Sequence, residues 1–201
     1  MNNKKILNNV NLEIPSGSMV YLEGASGAGK TTLMKIISGY YHPTSGEVKF
    51  GGIDVGNIKK SGEGNIYSRI AYLSQFPYLF EDSLKNNLRF GLGKEIPDEK
   101  IQEVLRDVGL GVRFRDLNEM LFGGSGDFGK TSGGETSRIG LARVLLKIRN
   151  SNCRLVFLDE PTASVDKTTK KDIAEIINKE KIKMPQTTFI VIVMMRNLLK
   201  C

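Results

Sequence analysis

An α/β fold with a mostly parallel sheet, interrupted by an inserted helical section, is the architecture this sequence predicts. Three observations carry that prediction. Two continuous apolar runs rich in β-branched residues, Arg154 to Leu158 and Phe189 to Val193, have the composition of strands buried on both faces of a parallel sheet. A third apolar run, Met19 to Glu23, ends in a glycine-rich turn and is followed by apolar residues at helical spacing. Between about 83 and 150 the apolar residues recur at helical rather than strand spacing. The expected layout is one domain, with an α/β core built from 1–82 and 151–201 and a helical subdomain from 83–150.

Taken in order, Val10 to Ile14 alternates in strand fashion, and Met19 to Glu23 reads as a buried strand entering a loop. From Lys30 the positions Leu33, Ile36 and Ile37 mark a helix that Gly39 stops. Pro43–Thr44–Ser45–Gly46 is a turn, Glu47 to Phe50 a strand, Gly51–Gly52 the next turn, and Ile70 to Leu73 a further strand. Ile101, Val104, Leu105 and Val108 form one amphipathic stripe and Ile139 to Ile148 another, with Gly123 to Asp127 as loop between them.

The turn after the first strand is Gly24–Ala25–Ser26–Gly27–Ala28–Gly29–Lys30–Thr31, which satisfies G-x-x-x-x-G-K-[ST] in the strand–loop–helix setting the chemistry needs. Glycines let successive backbone N–H groups turn inward toward an anion, and the helix that follows presents its positive end to the same point. On this reading Gly24, Ser26, Gly27, Ala28, Gly29, Lys30, Thr31 and Thr32 bind nucleotide phosphates. Lys30 reaches the terminal phosphates, and the Thr31 hydroxyl ligates Mg²⁺.

The run Leu155 to Leu158 ends in Asp159–Glu160. Ligands collect at the carboxyl ends of parallel strands. Asp159 is therefore expected near the metal, and Glu160 near the water that attacks a phosphate. An acidic pair after a strand is by itself an ordinary solvated loop feature; the phosphate loop gives it meaning.

Composition narrows the function classes. The chain has 201 residues, 40% apolar and 25% charged, as in ordinary globular domains. Its net charge of +7 is spread along the sequence, and its basic runs, Lys59–Lys60 and Lys170–Lys171, are pairs, so no nucleic-acid partner is expected. Cys153 and Cys201 form neither a CxxC nor a Cys/His cluster, which excludes a disulfide scaffold or zinc module and fits a reducing compartment. Met1 to Lys5 lacks the pattern of a signal peptide. The longest apolar run, Phe189 to Met195, is far short of the roughly 20 residues that cross a bilayer.

Further stretches, in a fixed order over essentially the whole chain, resemble the ATP-binding cassette transporter family and its fold, a P-loop NTPase core with a helical insert. Thr131–Ser132–Gly133–Gly134–Glu135, followed by Ser137 to Arg143, is similar to that family's signature motif and the helix it caps. Ser74–Gln75–Phe76–Pro77–Tyr78–Leu79–Phe80 resembles its glutamine loop, and Ala163–Ser164–Val165–Asp166 the loop that faces the opposing subunit. The residues after Gln75, and Gly126–Asp127–Phe128–Gly129, resemble exporter cassettes. The resemblance implies ATP and Mg²⁺ as cofactors, with Gln75 touching the metal or attacking water. It implies a head-to-tail partnership with a second nucleotide-binding domain, in which Ser132, Gly133, Gly134 and Asp166 meet the partner's nucleotide. It also implies transmembrane domains as partners, at the cytoplasmic face of a membrane.

Three positions depart from the family pattern. Met195 stands where a histidine usually contacts the γ-phosphate, Thr131 where leucine is usual, and Glu135 where glutamine is usual. A thioether cannot donate a hydrogen bond to an anion. Two readings stay open: a hydrolysing exporter ATPase, and a regulatory domain that binds ATP but turns it over slowly. A soluble cassette ATPase of DNA maintenance is disfavoured by the absence of heptads.

Overall fold

The computed structural model describes residues 5–57, 65–93, 95–121, 131–163 and 165–194. The expected loop at 123–127, the exporter-like stretch 126–129, Lys59–Lys60, Ser164, Met195 and Cys201 lie outside them.

Four parallel strands form the central sheet, in the order β1 (Met19–Gly24), β8 (Thr188–Met194), β7 (Leu155–Asp159), β4 (Ile70–Leu73). β7 and β8 are buried almost throughout, as continuous β-branched runs require of strands covered on both faces. One face sends Phe157, Ile190 and Ile192 against Met34 of α1 (Lys30–Ile37). The other sends Val156, Leu158, Phe189 and Val191 into a larger core. That core includes Ile139 to Ile148 of α4 (Gly133–Asn150) and Ile173 and Ile177 of α5 (Lys167–Lys183).

Between β4 and α4 run β5 (Asp82–Ser83), α2 (Leu84–Arg89), α3 (Asp98–Asp107) and β6 (Met120–Leu121), β5 and β6 pairing antiparallel. The predicted stripe of α3 is buried, with Ile101, Val104 and Leu105 facing α4. The larger core runs unbroken from these helices to the sheet. β2 (Lys49–Phe50) and β3 (Ile53–Asp54) close a two-residue hairpin on Gly51 and Gly52, whose positive φ angles of 55° and 84° suit that turn.

Three expectations need correction. Val10 to Ile14 forms no strand; the side chains of Val10 and Leu12 stand half exposed. Alternation marks a chain fit for pairing, but a strand needs a neighbour, and no described segment pairs with 10–14. β1 is not buried either: it is an edge of the described sheet, paired to β8 alone, and Tyr21 is exposed. The predicted strand at Glu47 to Phe50 is shorter, confined to Lys49–Phe50.

Candidate nucleotide site

Parallel strands all end on one side of the sheet, so β1, β7 and β4 deliver Gly24, Asp159 and Gln75 to a common edge. The loop from Gly24 turns through Ala25, Ser26, Gly27 and Ala28, which are exposed, and enters α1 at Gly29. Gly29 has φ 88°, a left-handed conformation that L side chains rarely adopt. Ile6 and Leu7 cross the loop so closely that a methyl group at Gly29 would fall 3.0 Å from Leu7.

α1 differs from its neighbours in how it begins. Ser83 caps α2, Ser132 caps α4 and Asp166 caps α5, each through its side chain. α3 has no side-chain cap but carries Asp98 and Glu99 in its first turn. α1 has neither a side-chain cap nor an acidic residue in its first turn. Its leading residues are Lys30, Thr31 and Thr32, so the positive end of the helix dipole and a cation coincide there without an acidic residue of the helix itself. The Lys30 ammonium donates to the carbonyls of Gly24 and Ala25, both at 2.8 Å, which folds it over the loop.

Thr31 Oγ1 donates to Asp159 Oδ2 at 2.9 Å, joining the first turn of α1 to the end of β7. Asp159 is 2% exposed, and its Oδ1 has no hydrogen-bond partner among the described residues. Burial, the main cause, holds its carboxyl above the usual range; the neighbouring Glu160 charge adds to this, while the Thr31 bond and Lys30 oppose it. A buried carboxylate with a free oxygen beside a hydroxyl suits a hard cation. Mg²⁺ takes one or two such protein oxygens and completes its shell with water and phosphate oxygens. No group of three or more acidic, His or Cys side chains among the described residues makes a cage by itself. The donor set therefore fits Mg²⁺ brought with a nucleotide.

Next to it, Glu160 adopts φ 51°, one of two non-glycine residues described with positive φ. Such backbone costs about 1–3 kcal/mol and persists only where its surroundings impose it. Here the Glu160 amide donates to the Ile192 carbonyl at 3.2 Å, and Gln75 Nε2 donates to Glu160 Oε2 at 2.9 Å. Four predicted residues (Thr31, Gln75, Asp159 and Glu160) are thus linked in two bonded pairs.

The remaining predicted contacts stand apart. No hydrogen bond joins Ser132, Gly133, Gly134 or Asp166 to the phosphate loop among the described residues; each lies at the start of another helix. Asp166 accepts from the amides of Thr168 and Thr169 at 2.9 and 3.0 Å. Ser132 Oγ accepts from the Glu135 amide at 3.1 Å, and Glu135 returns the bond to the Ser132 amide at 2.7 Å. Glu135, which stands where the family usually has glutamine, is half of a capping box, and Arg113 lies against its other oxygen at 3.5 Å. The S-x-x-E spacing would have shown this; the Arg113 partner has no sequence signal.

A family model described as ABC transporter matches residues 7–163. An ATP-dependent lipid A-core flippase of Francisella tularensis subsp. holarctica (strain OSU18) is 31% identical over 188 residues, covering 93% of this chain and 29% of that protein. A lactococcin transport/processing ATP-binding protein LcnC-like of Lactococcus lactis subsp. lactis (strain IL1403) is 35% identical over 174 residues, covering 85% and 23%. The chain spans less than a third of the length of these relatives. A solved structure of a bacterial Atm1-family ABC exporter with ATP bound superposes with TM-score 0.81 at 23% identity, over 96% of this chain and 32% of that one. The α/β sheet with its helical insert is thus the ABC ATPase fold, and this chain belongs to the ABC transporter family, as an exporter-like nucleotide-binding domain.

Proposed function

We propose that the chain binds ATP with Mg²⁺ at the loop from Gly24 to Thr32 and hydrolyses it to power an exporter. The observation that carries the reading is the Thr31–Asp159 bond at the uncapped start of α1, with one Asp159 oxygen left free. In this reading the backbone N–H groups from Ser26 to Thr32 hold the phosphates. Lys30 exchanges its two carbonyl acceptors for phosphate oxygens. Thr31 and Gln75, with Asp159 acting through the metal's water shell, would hold magnesium, which would supply charge neutralisation to the phosphates. Glu160, aimed by its Gln75 bond, takes a proton from the attacking water, so that the P–O bond to ADP breaks as the new one forms.

Ser132, Gly133, Gly134 and Asp166 complete the site of a second nucleotide-binding domain, arranged head to tail. ATP closes the pair by contacts it makes only in the closed state, and hydrolysis reopens it. The α/β core comprises 1–82 and 151–201, and the helical subdomain 83–150. No helix of the described residues is long and apolar enough to cross a membrane. Transmembrane domains are the partners we assign, on the strength of the transporter relatives, with this domain at the cytoplasmic face.

The test is phosphate release and ATP binding by the Glu160→Gln protein. Turnover is expected to fall about 10²–10⁴-fold with ATP affinity retained; unchanged turnover removes Glu160 from the chemistry. Met195 supports a second reading, a regulatory domain with slow hydrolysis, and a rate gain of at least tenfold in Met195→His would favour it over a fully active ATPase.

A further inference from the structure

Helix α1 and the strand pair β4–β7 enclose two buried oxygen atoms that no described residue satisfies. One is Asp159 Oδ1; the other is the hydroxyl of Tyr72. Strand register places them on the same face. Tyr72 pairs with Phe157 across the ladder, and Asp159 follows Phe157 by two residues, so all three project toward α1. The rings of Tyr72 and Phe157 meet with centroids 5.8 Å apart and planes tilted by 41°, which fixes the phenol against the sheet. Tyr72 packs into the smaller core with Met34, whose helix also supplies Thr31 to Asp159.

A single buried hydroxyl without a partner would be a local packing defect. Two unsatisfied oxygens on one face of adjacent strands share a need for a proton donor, because each can accept a hydrogen bond. They do not serve each other, since neither has a partner at hydrogen-bond distance. A water on a magnesium ion meets the need of both. It carries two acidic protons and no flexible attachment, and magnesium keeps several such waters when it binds through one or two carboxylates. Burial, and after it the nearby Asp159 carboxylate, pushes the Tyr72 phenol up to about 12, so it stays neutral and adds no charge to the site.

We propose that Tyr72 is a positioning residue for the magnesium hydration shell, its phenol oxygen and Asp159 Oδ1 each accepting a hydrogen bond from one metal-bound water. Outer-shell groups of this kind orient the ligands that touch the metal. The inference rests on the nucleotide reading of the site, and the experiment separates the two.

ATP binding to the full chain is measured by equilibrium titration over a range of free Mg²⁺, and again in EDTA, for wild type and Tyr72→Phe. The phenylalanine keeps the ring contact with Phe157 and removes only the oxygen. The variant is expected to need about tenfold more Mg²⁺ for half-saturation. Its ATP affinity in EDTA should match wild type, and its nucleotide-free unfolding midpoint should be equal or higher. A Tyr72→Phe protein with the wild-type Mg²⁺ requirement overturns the proposal and leaves the nucleotide reading standing. A lowered midpoint with an equal loss of affinity in EDTA also overturns it, by making the role structural. Wild-type binding that ignores Mg²⁺, or does not occur, overturns both.

Discussion

Replacing Glu180 with alanine tests how the helices that begin at Ser132 and Asp166 are held to one another. Both α4 and α5 carry a predicted nucleotide contact at the first end and are joined near the last by Arg149 and Glu180. Arg149 Nη2 and Nε donate to Glu180 Oε1 at 2.6 and 3.1 Å, with side chains 19% and 2% exposed. Removing one member of a buried pair typically costs about 3–5 kcal/mol, because the other charge is stranded. Arg149 would not be stranded here, since Nη1 also lies 2.7 Å from Asp107 on α3 and the side chain retains contact with water. What is lost is the charge-assisted bonding, about 1.5–3 kcal/mol, and some packing. The unpartnered Oε2 disappears with the side chain and offsets part of this. The expected destabilisation is about 2–3 kcal/mol, a fall in Tm of roughly 4–12 °C for a domain of this size. Urea unfolding followed by circular dichroism gives the number, with an unchanged m value showing that stability alone has moved. Arg149→Ala should cost more, because among the described residues it leaves the more deeply buried Glu180 with only Lys183 at 3.5 Å, on a side chain 65% exposed. A Glu180→Ala loss below about 0.5 kcal/mol, or a loss larger than that of Arg149→Ala, refutes the reasoning.

Two further outcomes are expected. Gly140→Ala on α4 should destabilise the domain by about 1–3 kcal/mol, because the new methyl group would meet Pro77 at 2.5 Å and Leu73 at 3.0 Å; a wild-type urea midpoint would show that the loop after Gln75 yields freely. Asp166 is held below its usual carboxylate range, chiefly by its bonds to Thr169, so its contribution is complete above the unfolded value and is lost as pH falls through the folded one. Asp166→Asn should accordingly flatten the decline in stability below about pH 4, and an acid limb identical to wild type in a pH series of thermal melts argues against that contribution.

Much of the site was legible because its chemistry is local. The glycines, Lys30 and Thr31 lie consecutively, and the strand–loop–helix around them follows from period alone. Asp159 and Glu160 could be placed because parallel strands end on one side. Gln75, Ser132 and Asp166 were singled out by resemblance, and the structure explains why periodicity does not mark them: each lies at a junction between elements, where no repeat operates. The alternation at Val10 to Ile14 misled for a related reason, since pattern reports a tendency to pair and not the presence of a partner.

The sequence by itself determined the chemical vocabulary and many of the elements: the buried strands at 155–158 and 189–193, the apolar stripes of α3 and α4, and a glycine-rich loop of the kind that suits an anion ahead of a helix. Only the tertiary structure decided the pairings. Thr31 meets Asp159, Gln75 meets Glu160, Arg149 meets Glu180, and Tyr72 shares a face with Asp159 through contacts between residues far apart in the chain. Side-chain bonds act over about 3 Å, and the separations that bring such groups together are set by sheet order and register. Those emerge from packing the whole chain at once.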